Sequence, residues 1–212
     1  MAAVPTLARN VTKGYSSCVT TKPRSKPDWD RLYDVASVQD GHFTTRQPAA
    51  AGYSFHALLK HVKAGRVARD RRGVYRLVHF PAGDREDLAV IWLWSDSVAV
   101  FSHQTALSLH GLSDVMPNRV HVTLPLEWQR RRLRVPKGVV VHHADVPPKE
   151  RAWFGAVPVT SPARTLNDCA KTALSPEFLQ QGAAQALRRG LVKRSDLADV
   201  ARALRDFGGI PK

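Results

Sequence analysis

An apolar stripe at helical spacing runs from Phe55 to Val62, with apolar residues at positions i, i+3, i+4 and i+7. This pattern predicts a helix with one buried face. Ser54 is a favourable N-cap residue and Gly65 a usual residue at a helix end, so both boundaries agree with the stripe. The pattern places five residues on or beside the opposite face, where we expect solvent: His56, Ala57, Lys60, His61 and Lys63.

The segments around this helix complete the pattern of a winged helix-turn-helix. Two β-prone runs follow the helix, and the turn residues at 70–73 separate them as in a hairpin. Before the helix, Phe43 is expected in a short strand, followed by a short helix that packs closely against the second one. Either Thr44, in a capping box with Gln47, or Thr45 would cap that short helix, and the sequence leaves both alternatives open.

The remaining periodicity predicts a mixed α/β chain, in which the winged helix-turn-helix is followed by a C-terminal α/β domain with a small sheet and several helices. Asp28 is expected to cap the first helix and Asp84 a helix that ends at Trp94. Further strands are expected at 119–124, 138–146 and 157–160, and further helices at 102–111, 161–170, 176–189 and 195–207. We divide the chain into a disordered basic tail (1–27), a DNA-binding domain (28–81) and a second domain (84–207).

The charge distribution favours a nucleic-acid partner for the first part of the chain. The net charge is +14, and residues 1–81 carry 14 Lys and Arg against 5 Asp and Glu. A cationic surface of this kind attracts phosphate, whereas a basic protein of membrane surfaces would need an apolar helix face with no core of its own to join. The tail ends in a basic run at 22–27, which either is solvated or lies along a DNA groove.

The candidate DNA contacts lie on the predicted second helix, on the hairpin and at the start of the short helix. Between Lys60 and Arg76 there are seven Lys and Arg and a single acid. A basic run is often only a solvated face, but here it falls where a winged helix meets DNA. The candidates are Thr44, Thr45, Arg46, Ser54, His56, Ala57, Lys60, His61, Lys63, Arg66, Arg69, Arg71 and Arg72.

Motifs for metal binding or catalysis are absent from the sequence. The histidines and the two cysteines have no zinc spacing, so neither a metal nor a cofactor is expected. No nucleophile elbow, phosphate loop or protein-kinase signature occurs. An enzyme is therefore not the leading hypothesis, and if the chain phosphorylates another protein, its site is atypical and cannot be read from residue spacing. No apolar run is long enough to cross a membrane, and no signal peptide is visible, so a cytoplasmic location is expected.

Two charged groups in the second half allow more than one interpretation. Arg164 and Asp168 are four residues apart on a predicted helix, so they either pair with each other or, with Thr160 and Ser161, face a partner or a phosphate. The basic run at 130–134 either guards an exposed strand or contacts DNA or an acidic surface of a partner protein.

The chain resembles the AbiEi family, the antitoxins of type IV abortive-infection toxin–antitoxin systems. The resemblance rests on segment 65–77 in the winged helix and on segments 102–112, 121–125 and 159–168, in that order, in the second domain. It implies that the first domain represses its own operon by binding inverted repeats in promoter DNA. It also implies that the second domain neutralises a cognate nucleotidyltransferase toxin, by direct contact, by indirect antagonism or by covalent modification such as phosphorylation.

On this resemblance, the candidate toxin-neutralising residues come from the family-like segments and from the strand between them. They are Ser102, His103, Thr105, His110, Arg119, Thr160, Ser161, Arg164 and Asp168. His103 and His110 are seven residues apart and could share a helix face, although a buried or capping histidine is the simpler interpretation. The rival hypotheses are a transcription regulator whose second domain senses a ligand, and an atypical kinase that inactivates the toxin.

Overall fold

The computed structural model describes residues 27–83, 85–172 and 174–211. The predicted tail therefore lies almost wholly outside the described residues, as does the predicted cap Asp84. Within the described ranges the chain forms two small sheets with helices packed around them, as the mixed α/β prediction requires.

The first sheet belongs to a winged helix-turn-helix, as predicted. Its three antiparallel strands lie in the order β1-β3-β2, and the hairpin turns at Gly73, whose φ of +85° suits glycine. Asp28 caps the first helix by accepting a hydrogen bond from the Arg31 amide at 3.1 Å. The elements are α1 (Trp29–Ser37), β1 (His42–Thr44), α2 (Gln47–Ala50), α3 (Phe55–Lys63), β2 (Val67–Arg71) and β3 (Val74–Leu77).

Helix α3 is rotated relative to the predicted orientation. Ala57 packs against the apolar core, and the His61 ring stacks on Trp29 with 4.9 Å between centroids. Phe55, expected in the buried stripe, is 55% exposed instead. The prediction that Ala57 and His61 lie on the exposed face is therefore wrong, because aromatic rings of the neighbouring elements draw the imidazole toward the core.

Neither threonine caps the short helix α2. Its N-cap is Arg46, whose side chain makes no capping bond. The Gln47 side chain instead accepts a hydrogen bond from the Thr44 amide at 2.7 Å. This is one of the two hydrogen bonds of the predicted capping box, and the other, from a helix amide to the Thr44 hydroxyl, is not formed. Both alternatives that the sequence left open are thus wrong, because the helix begins later than either cap requires.

The second sheet has five strands in the order β6-β5-β4-β8-β7. Strands β5 and β6 are parallel, as are β4 and β8, and the other neighbours are antiparallel. Strand β7 was not predicted, and the last helix is shorter than expected. The elements are α4 (Glu86–Trp94), β4 (Val100–Phe101), α5 (His103–Leu109), β5 (Val120–Leu124), β6 (Val139–His143), β7 (Arg151–Phe154), β8 (Val157–Thr160), α6 (Pro162–Lys171), α7 (Pro176–Arg188) and α8 (Ala198–Ala203).

Helix α4 joins the two halves of the molecule. It is apolar on nearly all sides, and such a helix is stable only when it is surrounded. Val90 and Leu93 pack against Val74 of the hairpin, whereas Leu88 and Ile91 belong to the core of the five-stranded sheet. The domain boundary near residues 81–84 stays a prediction, but the two halves share buried apolar surface through this helix.

Candidate functional site

One candidate surface is the exposed side of α3 together with the neighbouring hairpin. His56, Lys60 and Lys63 point to solvent from α3, and α3 packs directly against β2. The hairpin arginines are exposed as well: Arg66, Arg69, Arg71 and Arg72. The carboxylate of Asp70 lies 3.6 Å from the buried His42 ring, so the single acid of this segment is directed toward the sheet. The result is a continuous cationic face.

The other candidate DNA contacts lie beside this face or within the fold. Thr45 is exposed and Thr44 half-buried, whereas Ser54 uses its hydroxyl to cap α3 through the Ala57 amide. Arg46 is exposed and pairs with Asp96, which follows α4, at 3.5 Å. An exposed pair of this kind is weak, so the Arg46 guanidinium remains available to a phosphate.

A second candidate site is a layer of buried polar side chains between the five-stranded sheet and helices α5 and α6. Polar residues in a core are costly unless they are hydrogen-bonded, so their concentration in one layer marks a specific arrangement. Successive side chains of a strand point to opposite faces of the sheet, and this explains the layer. Thr123 points to the polar layer, whereas its neighbours Val122 and Leu124 point to the apolar core on the other face. The members are Ser102, His103, Thr105, Thr123, Thr160, Thr165 and Asp168.

Two half-buried histidines, His121 and His142, stack with His103 at the margin of this layer. The rings of His103 and His142 are 3.6 Å apart between centroids and nearly parallel, and His121 Nδ1 lies 3.1 Å from His142 Nε2. His103 Nδ1 is 2.8 Å from the Ser102 hydroxyl, which accepts a hydrogen bond from Thr123. His103 also has a φ of +52°, a strained value for a residue with a side chain.

The environment keeps these imidazoles neutral near pH 7. Burial, together with charge repulsion from the neighbouring His142 and His121, lowers the pKa of His103 to about 3. Burial likewise lowers the pKa of His121 to about 4. Stacked rings direct their nitrogens along separate lines, and no group of three possible metal ligands occurs in the described parts of the chain.

Arg164 forms the polar end of the layer. Its Nε donates to both carboxylate oxygens of Asp168, at 2.9 and 2.8 Å, and its Nη1 donates to Glu150 at 2.6 Å. Burial raises the pKa of Asp168, and the Arg164 charge partly offsets that effect. The predicted pairing of Arg164 with Asp168 is confirmed, and Glu150 extends it to the residue that precedes β7.

Comparisons with known proteins place the chain in a family. A family model described as a transcriptional regulator, AbiEi antitoxin, matches residues 30–78, and a model described as the AbiEi antitoxin C-terminal domain matches residues 98–210. The chain belongs to the AbiEi antitoxin family. A search of curated proteins found no match. Among solved structures, the crystal structure of the RV2827C protein from Mycobacterium tuberculosis is 15% identical, with a TM-score of 0.48, over 86% of this chain and 71% of that one.

The buried layer contains most of the AbiEi-like residues selected from sequence. Ser161 caps α6 and His110 donates from Nε2 to the Thr160 carbonyl at 2.8 Å, so both support the layer from its margin. His110 therefore contacts β8, whereas the His103 ring contacts His121 of β5 and His142 of β6. Arg119 is exposed ahead of β5 and is not part of the layer.

Sequence reasoning missed His121, Thr123 and His142. The signal was the alternation along β5 and β6, because the parallel register sets Thr123 beside His142, and His121 lies two residues before Thr123 on the same face. Only the pairing of these two strands, which periodicity does not specify, brings the His121 and His142 rings into contact with His103.

The basic run at 130–134 lies at the opposite edge of the sheet. A short 3-10 turn, Leu126–Arg130, packs against β6, the strand at that edge. Trp128 is buried there and carries the Arg131 guanidinium over its ring at 4.1 Å. This arrangement supports the interpretation that the basic run guards an exposed strand.

Among the helices of the described residues, none has the length and hydrophobicity that a membrane span requires.

Proposed function

We propose that this AbiEi-family chain is an autoregulating antitoxin, which represses its own operon and neutralises a nucleotidyltransferase toxin encoded beside it. The observation that carries the repressor half is the cationic face of α3 and the hairpin. Its seven basic or imidazole side chains are all exposed, and the neighbouring acid Asp70 is drawn toward His42. A winged helix uses these two elements to enter a groove and to hold the adjoining phosphates.

The two elements have different roles in this proposal. Lys60 and Lys63, with His56, lie on the helix face that would enter the major groove, so they read sequence as well as contacting phosphate. Arg71 and Arg72 stand at the hairpin turn and contact the backbone. Each lost phosphate contact lowers the slope of log affinity against log salt by about 0.9.

The experiment on DNA binding compares two triple variants of the full chain. Lys60→Ala with Arg71→Ala and Arg72→Ala removes three charges from the cationic face. Replacing Lys137, Lys193 and Arg205 by alanine removes the same charge from exposed positions elsewhere. In gel shifts with promoter DNA at two salt concentrations, the first variant should bind weakly with a shallower salt slope, and the second should resemble the unmodified chain. Equal binding by both variants would exclude this face as the DNA interface.

The antitoxin half is tested separately from repression. The full chain is expressed from an unrelated promoter beside the toxin, so that repression cannot protect the cell. Both triple variants should rescue growth, since the first leaves the second domain unchanged and the second replaces only exposed side chains of that domain. Failure of the unmodified chain to rescue would reject the antitoxin proposal, whatever the result with DNA.

A cleft in the second domain gives the ligand-sensing regulator a specific basis as a second candidate. The cleft has a volume of about 500 Å³, within the usual range for small-molecule sites. Its walls are mainly valines and prolines, and its polar groups are Thr123, Asp145 and Arg151. If it senses a ligand, operator binding should respond to a small molecule, and Val100→Trp, which would fill the cleft, should remove the response.

A further inference from the structure

The two edge strands of the five-stranded sheet, β6 and β7, differ in the elements that contact them. The turn Leu126–Arg130 contacts β6, and a basic run leads from this turn toward that strand. Strand β7 forms the other edge, and among the described residues no element pairs with its outer side. Proteins usually protect such an edge with charge, proline or a bulge, because an open strand can pair with another chain.

The hydrogen bonds of β7 show which backbone groups face outward. The Ser161 amide donates to the Glu150 carbonyl at 2.8 Å, so this pair belongs to the ladder with β8. Bonded and non-bonded pairs alternate in an antiparallel ladder, so the Arg151 and Trp153 amides and carbonyls point away from β8. Trp153 lies opposite Pro158, which has no amide to donate, in agreement with this register.

The side chains of β7 favour contact rather than protection. Trp153 is 68% exposed and Phe154 is 36% exposed, at the end of a strand with no inward-pointing charge. Tryptophan in this setting is the residue type most enriched at the centre of protein interfaces. Positive charge surrounds the strand, since Arg151 is exposed and the Arg85 guanidinium lies 5.6 Å from the Phe154 ring.

We infer that β7 receives an extended segment of the toxin, which adds a sixth strand to the sheet and presents acidic and apolar side chains. This inference rests on the proposed antitoxin function. The exposed cations Arg85, Lys149 and Arg151 favour an acidic segment, and they disfavour a second copy of this chain, whose net charge is also +14. Pairing of backbone groups supplies affinity, and Trp153 supplies the apolar contact.

The partly buried ion pairs of the second site position this edge. Arg164 binds Glu150, which directly precedes β7, and Asp168 holds Arg164 in place. Arg164 and Asp168 are therefore positioning residues for the toxin-binding strand. The Arg151 side chain adds a second anchor, since its Nε donates to the Val146 carbonyl at 2.8 Å.

The test measures binding of the purified toxin to the full chain. Trp153→Glu should weaken binding at least about 30-fold, the loss typical of a central interface residue. Trp153→Lys should weaken it less, because the added charge attracts an acidic segment. The control is Phe178→Glu, a partly exposed aromatic on α7, which should leave affinity unchanged. An unchanged midpoint of urea unfolding checks that each variant is folded.

Amide hydrogen exchange follows the outward-facing groups directly. The Arg151 and Trp153 amides should exchange quickly in the free chain and slowly in the toxin complex. Toxin binding that leaves both amides unprotected, or that tolerates Trp153→Glu, would overturn the inference while the antitoxin function stands. Slow exchange of these amides in the free chain would also overturn the inference. If the protection disappears at high dilution, a second copy of the chain occupies the edge. If it disappears when residues 1–26 are removed, that segment of the chain occupies the edge.

Discussion

Mild acid should destabilise the folded chain through the histidine stack. His103 has an ordinary pKa of 6.5 when unfolded and a pKa of about 3 in the fold, because burial penalises the imidazolium. Between pH 6.5 and about pH 3, the unfolded chain therefore binds a proton at His103 that the folded chain does not bind. The stability is fully present above pH 6.5 and is lost progressively as the pH falls from 6.5 toward 3.

The size of the effect follows from this pKa difference. Each pH unit below 6.5 costs about 1.4 kcal/mol, so His103 alone should lower the unfolding free energy by about 2 kcal/mol between pH 7 and pH 5. His121 changes in the same direction, with its pKa lowered to about 4, but it is partly exposed and contributes less.

The assay is urea unfolding at pH 7 and pH 5, followed by tryptophan fluorescence. His103→Asn is the informative variant, because asparagine tolerates the φ of +52° better than most residues. His56→Asn, on the exposed face of α3, is the control. The unmodified chain and the control should each lose at least about 2 kcal/mol on acidification, and His103→Asn should lose about 2 kcal/mol less than they do. An equal loss in all three proteins would refute the assignment of the acid sensitivity to this stack.

Three further predictions test packing and ion pairing. Arg164→Ala should lower the free energy of unfolding in urea by about 3 kcal/mol, because it leaves the buried Asp168 carboxylate unpaired. Adding Asp168→Ala should restore part of this loss, and a double variant less stable than the single one would contradict the explanation. Leu58→Ala, at a fully buried position of α3, should cost about 2–5 kcal/mol by thermal or urea unfolding, and a loss under 1 kcal/mol would contradict the packing. A fragment of residues 85–211 should keep its sheet but self-associate in sedimentation, since Val90 and Leu93 lose their cover, and a monomeric fragment would show that α4 does not need the hairpin.

The sequence by itself determined the local structure. Side chains that bond to their own neighbours act over three or four residues, so the Asp28 and Ser161 caps and the Arg164–Asp168 pair were predictable. The hairpin turn at Gly73 is equally local. The order of elements that defines the winged helix, and the position of the cationic segment, follow from the same short-range information.

Only the tertiary structure decided which faces and strands come together. Periodicity locates a stripe on α3, but the rings of neighbouring elements fix its rotation, and they turn His61 inward and Phe55 outward. Strand β7 has little apolar alternation of its own, and it forms because its backbone pairs with that of β8. The histidine stack likewise depends on the parallel register of β5 and β6, which is a long-range pairing that no window of the sequence contains.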